Sequence, residues 1–280
     1  MHNTQNIGDC MKINWFPGHM HKALKDISEQ LKKVDVVTYI LDARIPLASI
    51  NPSLNEITQN KPVLYVFNKI DMADEKKIKA LLPQFKSKTS DFVLFNSTLS
   101  GKSDLIVEKI KTLASEKIEK YKNKGIKPSI RTMVVGIPNC GKSTLVNNLC
   151  KKAKAITGNK AGVTKHGLWL PIGGGIEVYD TPGTLYPNIE NQEIAKKLAF
   201  VGSVRDEILD FVDLANDLLK ILLEQYPENV KKRYENKTTL EEIATLRKFV
   251  TNGGELDLER TAKSVVDDFR KGRLGKITLD

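Results

Sequence analysis

One stretch near the middle of the chain constrains the fold more than any other. Residues 136–144 are GIPNCGKST, which matches the phosphate-binding pattern GxxxxGK[ST]. The largely apolar run 131–135 before it suits a buried strand, and residues 143–149 suit a helix. In that context, backbone N–H groups and the start of a helix point at phosphate oxygens. The sequence therefore predicts a P-loop within an α/β domain.

The P-loop pattern also assigns side-chain roles. Lys142 is expected to reach the β- and γ-phosphates of a nucleotide, and the Ser143 hydroxyl is expected to hold Mg²⁺. Other loop residues predicted to face the nucleotide are Asn139, Cys140, Gly141 and Thr144.

A second motif lies upstream of the P-loop. Residues 62–67 form an apolar run typical of a strand, and Asn68-Lys69-Ile70-Asp71 follows it, matching NKxD. A carboxylate such as Asp71 can accept hydrogen bonds from N1–H and N2–H₂ of guanine, a donor pair that adenine lacks. Asn68 can tie this loop to the P-loop, and the stem of Lys69 can lie on the purine. Alone, NKxD equally fits a plain turn, so its meaning depends on the P-loop.

A third loop is expected to contact the base. The strand predicted at 92–95 ends in Asn96 and Ser97, which are expected to contact the base, although a plain loop explains the pattern equally well.

Two further loops are predicted on the phosphate side. The basic, glycine-punctuated segment 151–165 contains Thr164, which its position marks as a switch threonine contacting Mg²⁺ and γ-phosphate. Asp180-Thr181-Pro182-Gly183 ends the second strand of a hairpin predicted at 167–171 and 176–179. Asp180 at that strand end can bind Mg²⁺ through water, and the Gly183 N–H can bond the γ-phosphate.

The order of these motifs is permuted. Base recognition precedes the P-loop, whereas GTPases usually place it last. A closed sheet fold with neighbouring termini tolerates such a permutation, because each motif still lies at the carboxyl end of a parallel strand.

Hydrophobic periodicity predicts the remaining elements. They are a first strand at 34–41, helices at 20–33, 53–59, 74–83, 102–121, 191–200, 205–224, 239–250 and 257–271, and a solvated lysine-rich linker at 117–127.

Composition constrains the partners and the compartment. The net charge of +10 favours a polyanionic partner, most simply RNA, although a lysine-rich surface from an AT-rich genome explains it equally well. Cys10, Cys140 and Cys150 have no zinc-ligand spacing and fit a reducing compartment, so a cytoplasmic location is expected. No apolar run approaches 18 residues, so no membrane association is expected.

The permuted motifs, WFPGHM at 15–20 and FRKGRLGKITL at 269–279 together resemble the YlqF/RbgA family of circularly permuted ribosome-assembly GTPases. The resemblance covers residues 11–280, and it implies that residues 1–10 are an extension or a misassigned start. It implies GTP hydrolysis coupled to late maturation of the large ribosomal subunit. The precursor particle and its rRNA are the implied partners, the particle is expected to stimulate hydrolysis, and the protein is expected to be a monomer.

The predicted fold class is α/β: a circularly permuted P-loop GTPase domain with a mixed, mostly parallel sheet, followed by a small all-α domain. The predicted limits are an N-terminal extension and basic helix at 1–30, the GTPase domain at 31–188 and the helical domain at 189–280.

The resemblance also carries catalytic expectations. Thr184 occupies the position where many GTPases place a water-orienting Gln, and the family usually has a hydrophobic residue there. The implied substitute is His19 of the FPGHM motif, although this turn can equally be structural or contact rRNA. Asn139 matches an Asn that similar GTPases use to hold K⁺ beside the phosphates. The implied cofactors are GTP or GDP, Mg²⁺ and K⁺.

Three other functions fit the sequence less well. A permuted GTPase of the small subunit would carry an N-terminal OB domain and a zinc module, for which the N-terminal arm and the cysteines are insufficient. A non-catalytic RNA-binding scaffold locked by nucleotide is disfavoured by the intact Lys142, Ser143, Thr164 and Asp180. An ATPase is disfavoured by Asp71.

Overall fold

The computed structural model describes residues 18–98, 103–150, 168–185, 189 and 191–280, with only the backbone of His19 and Leu168. Its centre is a six-stranded sheet of order β3-β2-β1-β4-β6-β5. All neighbouring strands are parallel except β5, which pairs antiparallel with β6. This is the predicted mixed, mostly parallel sheet. The strands are β1 Val36–Asp42, β2 Val63–Asn68, β3 Ser90–Leu94, β4 Ile130–Gly136, β5 Leu168–Gly173 and β6 Ile176–Asp180.

The central strands are largely apolar because helices cover both faces of the sheet. Every residue of β1 is buried, and so is nearly every residue of β4. The parallel strands all end at one edge, where the loops that follow β1, β2, β3, β4 and β6 lie together. The helices of this part are α1 Gly18–Leu31, α2 Pro52–Thr58, α3 Glu75–Leu81, α4 Asp104–Leu113, α5 Ser115–Asn123 and α6 Lys142–Leu149.

The C-terminal part is helical, as predicted. Its helices α8 and α11 pack on each other, and one continuous cluster of buried apolar side chains joins them to the sheet. The domain limits therefore stay a prediction, because the two parts share a core. The helices are α7 Gln192–Phe200, α8 Phe211–Gln225, α9 Pro227–Tyr234, α10 Leu240–Arg247 and α11 Leu258–Arg270.

Four local predictions differ from the structure. The turn expected at Tyr226-Pro227 opens helix α9, where proline occupies the first turn and Val230 and Tyr234 are buried one turn apart. The helix predicted at 102–121 is interrupted at Ala114.

The lysine-rich linker predicted at 117–127 is helical as far as Asn123. Lysine is a good helix former, so its abundance predicts solvent exposure and not loss of helix.

The helix predicted at 205–224 starts later, at Phe211, with Asp210 as its N-cap.

The segment after α11 returns to the sheet edge. Ile277, Thr278 and Leu279 are buried, and their contacts with the loops after β1 and β2 are described below. No helix in the described residues has the length and apolarity needed to cross a membrane.

Candidate nucleotide-binding site

The P-loop joins β4 to α6 at the middle of the sheet edge. Gly141 precedes α6 with φ 99°, and a Cβ on this residue would lie 2.2 Å from Nδ2 of Asn68. Glycine is therefore required both by conformation and by space. The Lys142 side chain is buried and folds back along the loop, where Nζ donates to the carbonyls of Gly136 (3.2 Å) and Ile137 (2.7 Å).

Asn68 joins three loops that are far apart in sequence. Its Nδ2 donates to the P-loop carbonyl of Cys140 (2.8 Å) and to Ser97 Oγ (3.1 Å), and its Oδ1 accepts from the Ser97 N–H (2.9 Å). The structure therefore brings the NKID loop, the loop after β3 and the P-loop together. Asn96 closes a local turn by accepting from the Thr98 N–H (2.9 Å).

Lys69 links the NKID loop to the P-loop a second time. It has a left-handed backbone (φ 61°), and its Nζ donates to the Asn139 carbonyl (2.7 Å) and to Asp42 Oδ2 (2.8 Å). Burial lowers the pKa of Lys69, and the Asp42 charge opposes that effect. Asp71 lies in the 3₁₀ turn Ile70–Met72 that follows, with an exposed side chain.

On the phosphate side, the DTPG loop lies against the P-loop. A Cβ on Gly183 would lie 2.7 Å from Pro138 Cα and 2.9 Å from Lys142 Nζ, so only glycine permits this approach. The Thr184 N–H donates to the Gly136 carbonyl (3.3 Å). Gly183 and Lys142 therefore lie at one point of the site, as the motifs predict.

Asp180 and Ser143 are also brought together. The Ser143 hydroxyl donates to Asp180 Oδ2 (3.3 Å). Within the described parts of the chain, the buried Oδ1 of Asp180 has no hydrogen-bond partner. Burial raises the pKa of Asp180, although the Lys142 charge and the Ser143 hydrogen bond oppose the rise.

This donor set fits Mg²⁺, which binds through one or two protein oxygens and completes its shell with water and phosphate oxygens. The described residues contain no group of three or more His, Cys, Asp or Glu that could hold a metal by itself. Thr164, the predicted switch residue, lies outside the described residues.

Asn139, the residue predicted to hold K⁺, also contacts the helical part. Its backbone is left-handed (φ 59°), and Nδ2 donates to the Gly202 carbonyl. The neighbouring Pro138 carbonyl accepts from Ser203 Oγ (2.7 Å). The P-loop is therefore in direct contact with the segment between α7 and α8.

Two buried charges at the end of β1 were missed by sequence reasoning. Asp42 binds the Arg44 guanidinium (2.7 Å) as well as Lys69. Burial alone would raise the pKa of Asp42, but these two cations outweigh it and hold that pKa well below its usual range. Arg44 also donates to the carbonyls of Phe269 (3.2 Å) and Arg270 (3.0 Å) at the end of α11. An Asp and an Arg directly after a strand that neighbours NKxD were the available signal.

The residue at the usual glutamine position, Thr184, and its implied substitute, His19, differ in how they are placed. Thr184 is fully buried, and its carbonyl accepts from Asn51 Nδ2 (3.1 Å). Its side chain is therefore packed inside the protein, and it lacks the amide group with which a glutamine would orient water. His19 lies in the first turn of α1, and its side chain lies outside the described part of the structure.

Comparison with known proteins decides the family. A family model described as "50S ribosome-binding GTPase" matches residues 131–248. Ribosome biogenesis GTPase A of Bacillus cereus is 41% identical over 278 residues, covering 96% of this chain and 94% of that protein. The chain belongs to the ribosome biogenesis GTPase A family. The predicted resemblance to YlqF/RbgA is thereby confirmed.

Other members extend the likeness. Mitochondrial ribosome-associated GTPase 1 of Ictalurus punctatus is 32% identical over 98% of this chain and 94% of that protein. The crystal structure of GNP-bound YlqF from T. maritima has a TM-score of 0.64 at 25% identity, over 92% of this chain and 97% of that one. This member of the ribosome biogenesis GTPase A family is accordingly a GTPase that binds guanine nucleotides.

Proposed function

We propose that this GTPase binds a precursor of the large ribosomal subunit and its rRNA, and couples GTP hydrolysis to a late step of subunit assembly. The observation that carries the nucleotide part is the hydrogen bonding of Asn68, which fastens the guanine-recognition loop to the P-loop. The description of the matched family as 50S-binding supports the choice of subunit, and the net charge of +10 supports an RNA partner.

Guanine recognition is assigned to the loops after β2 and β3. The exposed Asp71 carboxylate accepts from N1–H and N2–H₂ of the base, and the stem of Lys69 lies on its face. Asn96 and Ser97 border the base from the next strand. Because Asn68 and Lys69 are already held by the P-loop and by Asp42, little ordering of these residues accompanies binding.

Phosphate binding is assigned to the backbone N–H groups of Asn139, Cys140, Gly141 and Thr144, to the Gly183 N–H and to Lys142. A nucleotide provides Lys142 Nζ with better acceptors than the Gly136 and Ile137 carbonyls that it contacts now. Mg²⁺ would be held by Ser143, Thr164 and Asp180, and when bound it neutralises charge on the β- and γ-phosphates.

Orientation of the attacking water is assigned to His19, because the buried Thr184 leaves no side chain at the usual glutamine position. An imidazole with a near-neutral pKa can orient or polarise water. A His19→Ala variant is expected to lose most ribosome-stimulated turnover while keeping GDP affinity.

Asn139 is assigned to K⁺, which would supply positive charge otherwise given by an arginine finger. Replacement of K⁺ by Na⁺ is expected to lower the rate.

Phosphate release measured with purified ribosomal particles tests the whole proposal. Large subunits or their precursors are expected to stimulate GTP turnover of the full-length protein, and small subunits are not. Lys142→Ala controls for contaminating GTPases and is expected to abolish the stimulated rate. Stimulation by small subunits alone would assign the protein to the other particle. Tight RNA binding without any stimulated turnover would favour a nucleotide-locked scaffold.

A further inference from the structure

The last residues of the chain are fixed to the loop that carries the guanine-recognition residues. The Ile277 N–H donates to the Met72 carbonyl (2.9 Å), and the Leu279 N–H donates to the Arg44 carbonyl (2.7 Å). Both side chains are buried. We call residues 272–280 the C-terminal strap. The strap therefore joins the loops after β1 and β2 by main-chain hydrogen bonds.

Thr278 is the best-bonded residue of the strap. Its hydroxyl donates to the Ala43 carbonyl (3.0 Å) and accepts from the Asp74 N–H (3.1 Å). Its backbone carbonyl accepts from Lys77 Nζ (2.8 Å) and from Tyr226 Oη (2.9 Å). The side chain is fully buried, so removal of its hydroxyl leaves Asp74 N–H and Ala43 carbonyl without this partner.

These contacts flank Asp71, whose exposed side chain contributes little to its own placement. On its N-terminal side the loop is held by Asn68 and Lys69. On its C-terminal side it is held by the strap, through Met72 and Asp74. Among the described residues, the short turn between them has its own 3₁₀ hydrogen bonds, such as Met72 N–H to the Lys69 carbonyl (3.0 Å), and a longer one from the Ile70 N–H to the Phe95 carbonyl (3.3 Å).

Two further strap residues approach the same turn. Gly272 lies so near that an added Cβ would be 2.9 Å from Met72 Cγ. Lys276 donates to Glu75 Oε1 (2.7 Å). That hydrogen bond raises the pKa of Lys276, with a smaller contribution from the charge of Asp71.

We propose that the C-terminal strap is a positioning element for guanine recognition: by fixing Met72 and Asp74 it sets the position of the Asp71 carboxylate relative to the base. The inference rests on the proposed role of Asp71. It makes residues at the far end of the chain determinants of nucleotide specificity, although they do not contact nucleotide themselves.

Matched threonine substitutions test the proposal. Thr278→Val keeps shape and removes the hydroxyl that holds Asp74. Thr261→Val removes an equally buried hydroxyl, which donates to the Asp257 carbonyl (2.7 Å) inside the helical part. GDP and IDP affinities of the full-length variants are measured by titration. IDP lacks the 2-amino group, so the ratio of the two affinities reports the hydrogen bonds of Asp71.

Thr278→Val is expected to weaken GDP binding by about three- to tenfold, the range associated with one or two lost hydrogen bonds. IDP binding is expected to weaken less, so the GDP/IDP ratio falls. Thr278→Ser, which retains the hydroxyl, is expected to restore the ratio, and Thr261→Val is expected to leave it at the wild-type value. An unchanged ratio in folded Thr278→Val, or an equal fall in Thr261→Val, overturns the inference.

Asp71→Asn separates this inference from the proposed function. If Asp71→Asn keeps full discrimination, the assignment of Asp71 to the base fails and the strap argument fails with it. If Asp71→Asn loses discrimination and Thr278→Val does not, only the strap inference fails.

Hydrogen exchange of the wild-type protein gives a second test that needs no variant. GDP is expected to slow exchange of the Ile277 and Leu279 amides along with those of residues 70–74, while amides in the middle of α11 are unaffected. Protection of 70–74 without any change at 277 and 279 contradicts the proposal.

Discussion

Two buried aspartates at the same sheet edge show how the base side and the phosphate side of the site differ. Asp42 ends β1 and Asp180 ends β6, and their residues are 0% and 3% exposed. Both are taken out of water to a similar extent. Their surroundings nevertheless move their pKa values in opposite directions.

On the base side, charge is balanced within the protein. Arg44 and Lys69 both contact Asp42, and Arg44 additionally lies 5.3 Å from the Phe269 ring centroid. Removing one member leaves the others buried without compensation, which costs far more than an exposed pair does. The base side is therefore rigid and coupled to the end of α11.

On the phosphate side, no cation among the described residues forms an ion pair with Asp180, and the Lys142 charge only partly offsets the effect of burial on its pKa. Its described partner is the neutral hydroxyl of Ser143, and Lys142 is held by carbonyls instead. A carboxylate in that setting destabilises the folded protein while making the site receptive to a divalent cation. We infer that Asp42 stabilises the fold, whereas Asp180 lowers the stability of the fold and is kept for the metal binding proposed above.

The largest expected effect comes from making the same substitution at both aspartates. Asp42→Asn is expected to lower the free energy of unfolding by about 3–5 kcal/mol, because Arg44 and Lys69 lose their buried counter-charge. Asp180→Asn is expected to raise it slightly, by up to about 1 kcal/mol, since it removes a buried carboxylate and keeps an acceptor for Ser143. Urea unfolding of the nucleotide-free proteins at pH 7 measures both changes.

The same pair separates stability from activity. Asp180→Asn is expected to reduce GTP turnover by about 10- to 100-fold through weaker metal binding, despite its greater stability. A loss of stability in both variants would remove the distinction between the two sides of the site.

A second prediction concerns the arginines. Arg44→Ala is expected to destabilise by about 3 kcal/mol, because it breaks the buried pair and releases the carbonyls at the end of α11. Arg131→Ala is the matched control, since Arg131 also pairs with an acid, Glu177, and stacks on Trp169. Both partners of that pair are about 40% exposed, so a change within about 1 kcal/mol is expected. Similar urea midpoints for the two variants would contradict the special place of Arg44.

Sequence reasoning predicted the three motifs that the structure brings to one sheet edge, because each motif has local chemistry. The P-loop, NKID and DTPG segments predict their own backbone conformations, and the parallel strands bring them to one edge. The local signal of Arg44, its place just after Asp42 and a strand, does not identify its other partners, because Phe269 and Arg270 lie more than 200 residues further along the chain. Thr278 was missed for the same reason: a basic C-terminal segment predicts exposure, whereas its apolar residues Ile277 and Leu279 are buried against the sheet.

The helices show a second limit of prediction from the sequence. Periodicity placed α8, α10 and α11 within a few residues, apart from the late start of α8. Periodicity did not predict α9, because the Tyr226-Pro227 pair by itself indicates a turn. Proline at the first position of a helix and proline in a turn have the same local sequence. Burial of Val230 and Tyr234, which is a tertiary effect, decides between them.

Two buried threonine hydroxyls on the phosphate side differ in the same way as the two aspartates, with smaller expected effects on stability. Thr181 Oγ1 donates to the Val134 carbonyl (2.6 Å), whereas the buried Thr184 Oγ1 has no partner within the described residues. Thr181→Val is therefore expected to destabilise by about 1 kcal/mol, and Thr184→Val to stabilise by a similar amount. Thermal unfolding of the two variants measures the difference. A destabilised Thr184→Val would mean that its hydroxyl is satisfied.

The smallest expected effect is a pH dependence that distinguishes the two aspartates. The pKa of Asp180 lies above its ordinary value of 3.8 in the folded protein, so the folded state gains relative stability as pH falls through that raised pKa. The unfolding free-energy difference between wild type and Asp180→Asn should therefore narrow, by under about 1 kcal/mol, as pH falls from 7 towards the ordinary carboxyl pKa of about 4.

For Asp42 the sign is reversed, because its pKa in the folded protein lies below 3.8. Its stabilisation is complete above the unfolded-state pKa and is lost only as pH falls through the lower folded-state pKa. The difference between wild type and Asp42→Asn should stay constant over the same pH range, and Thr181→Val provides a control that does not titrate. If the Asp42 difference narrows above about pH 4.5, Arg44 and Lys69 do not hold this carboxylate in its charged form, and the base side is less rigid than its contacts indicate.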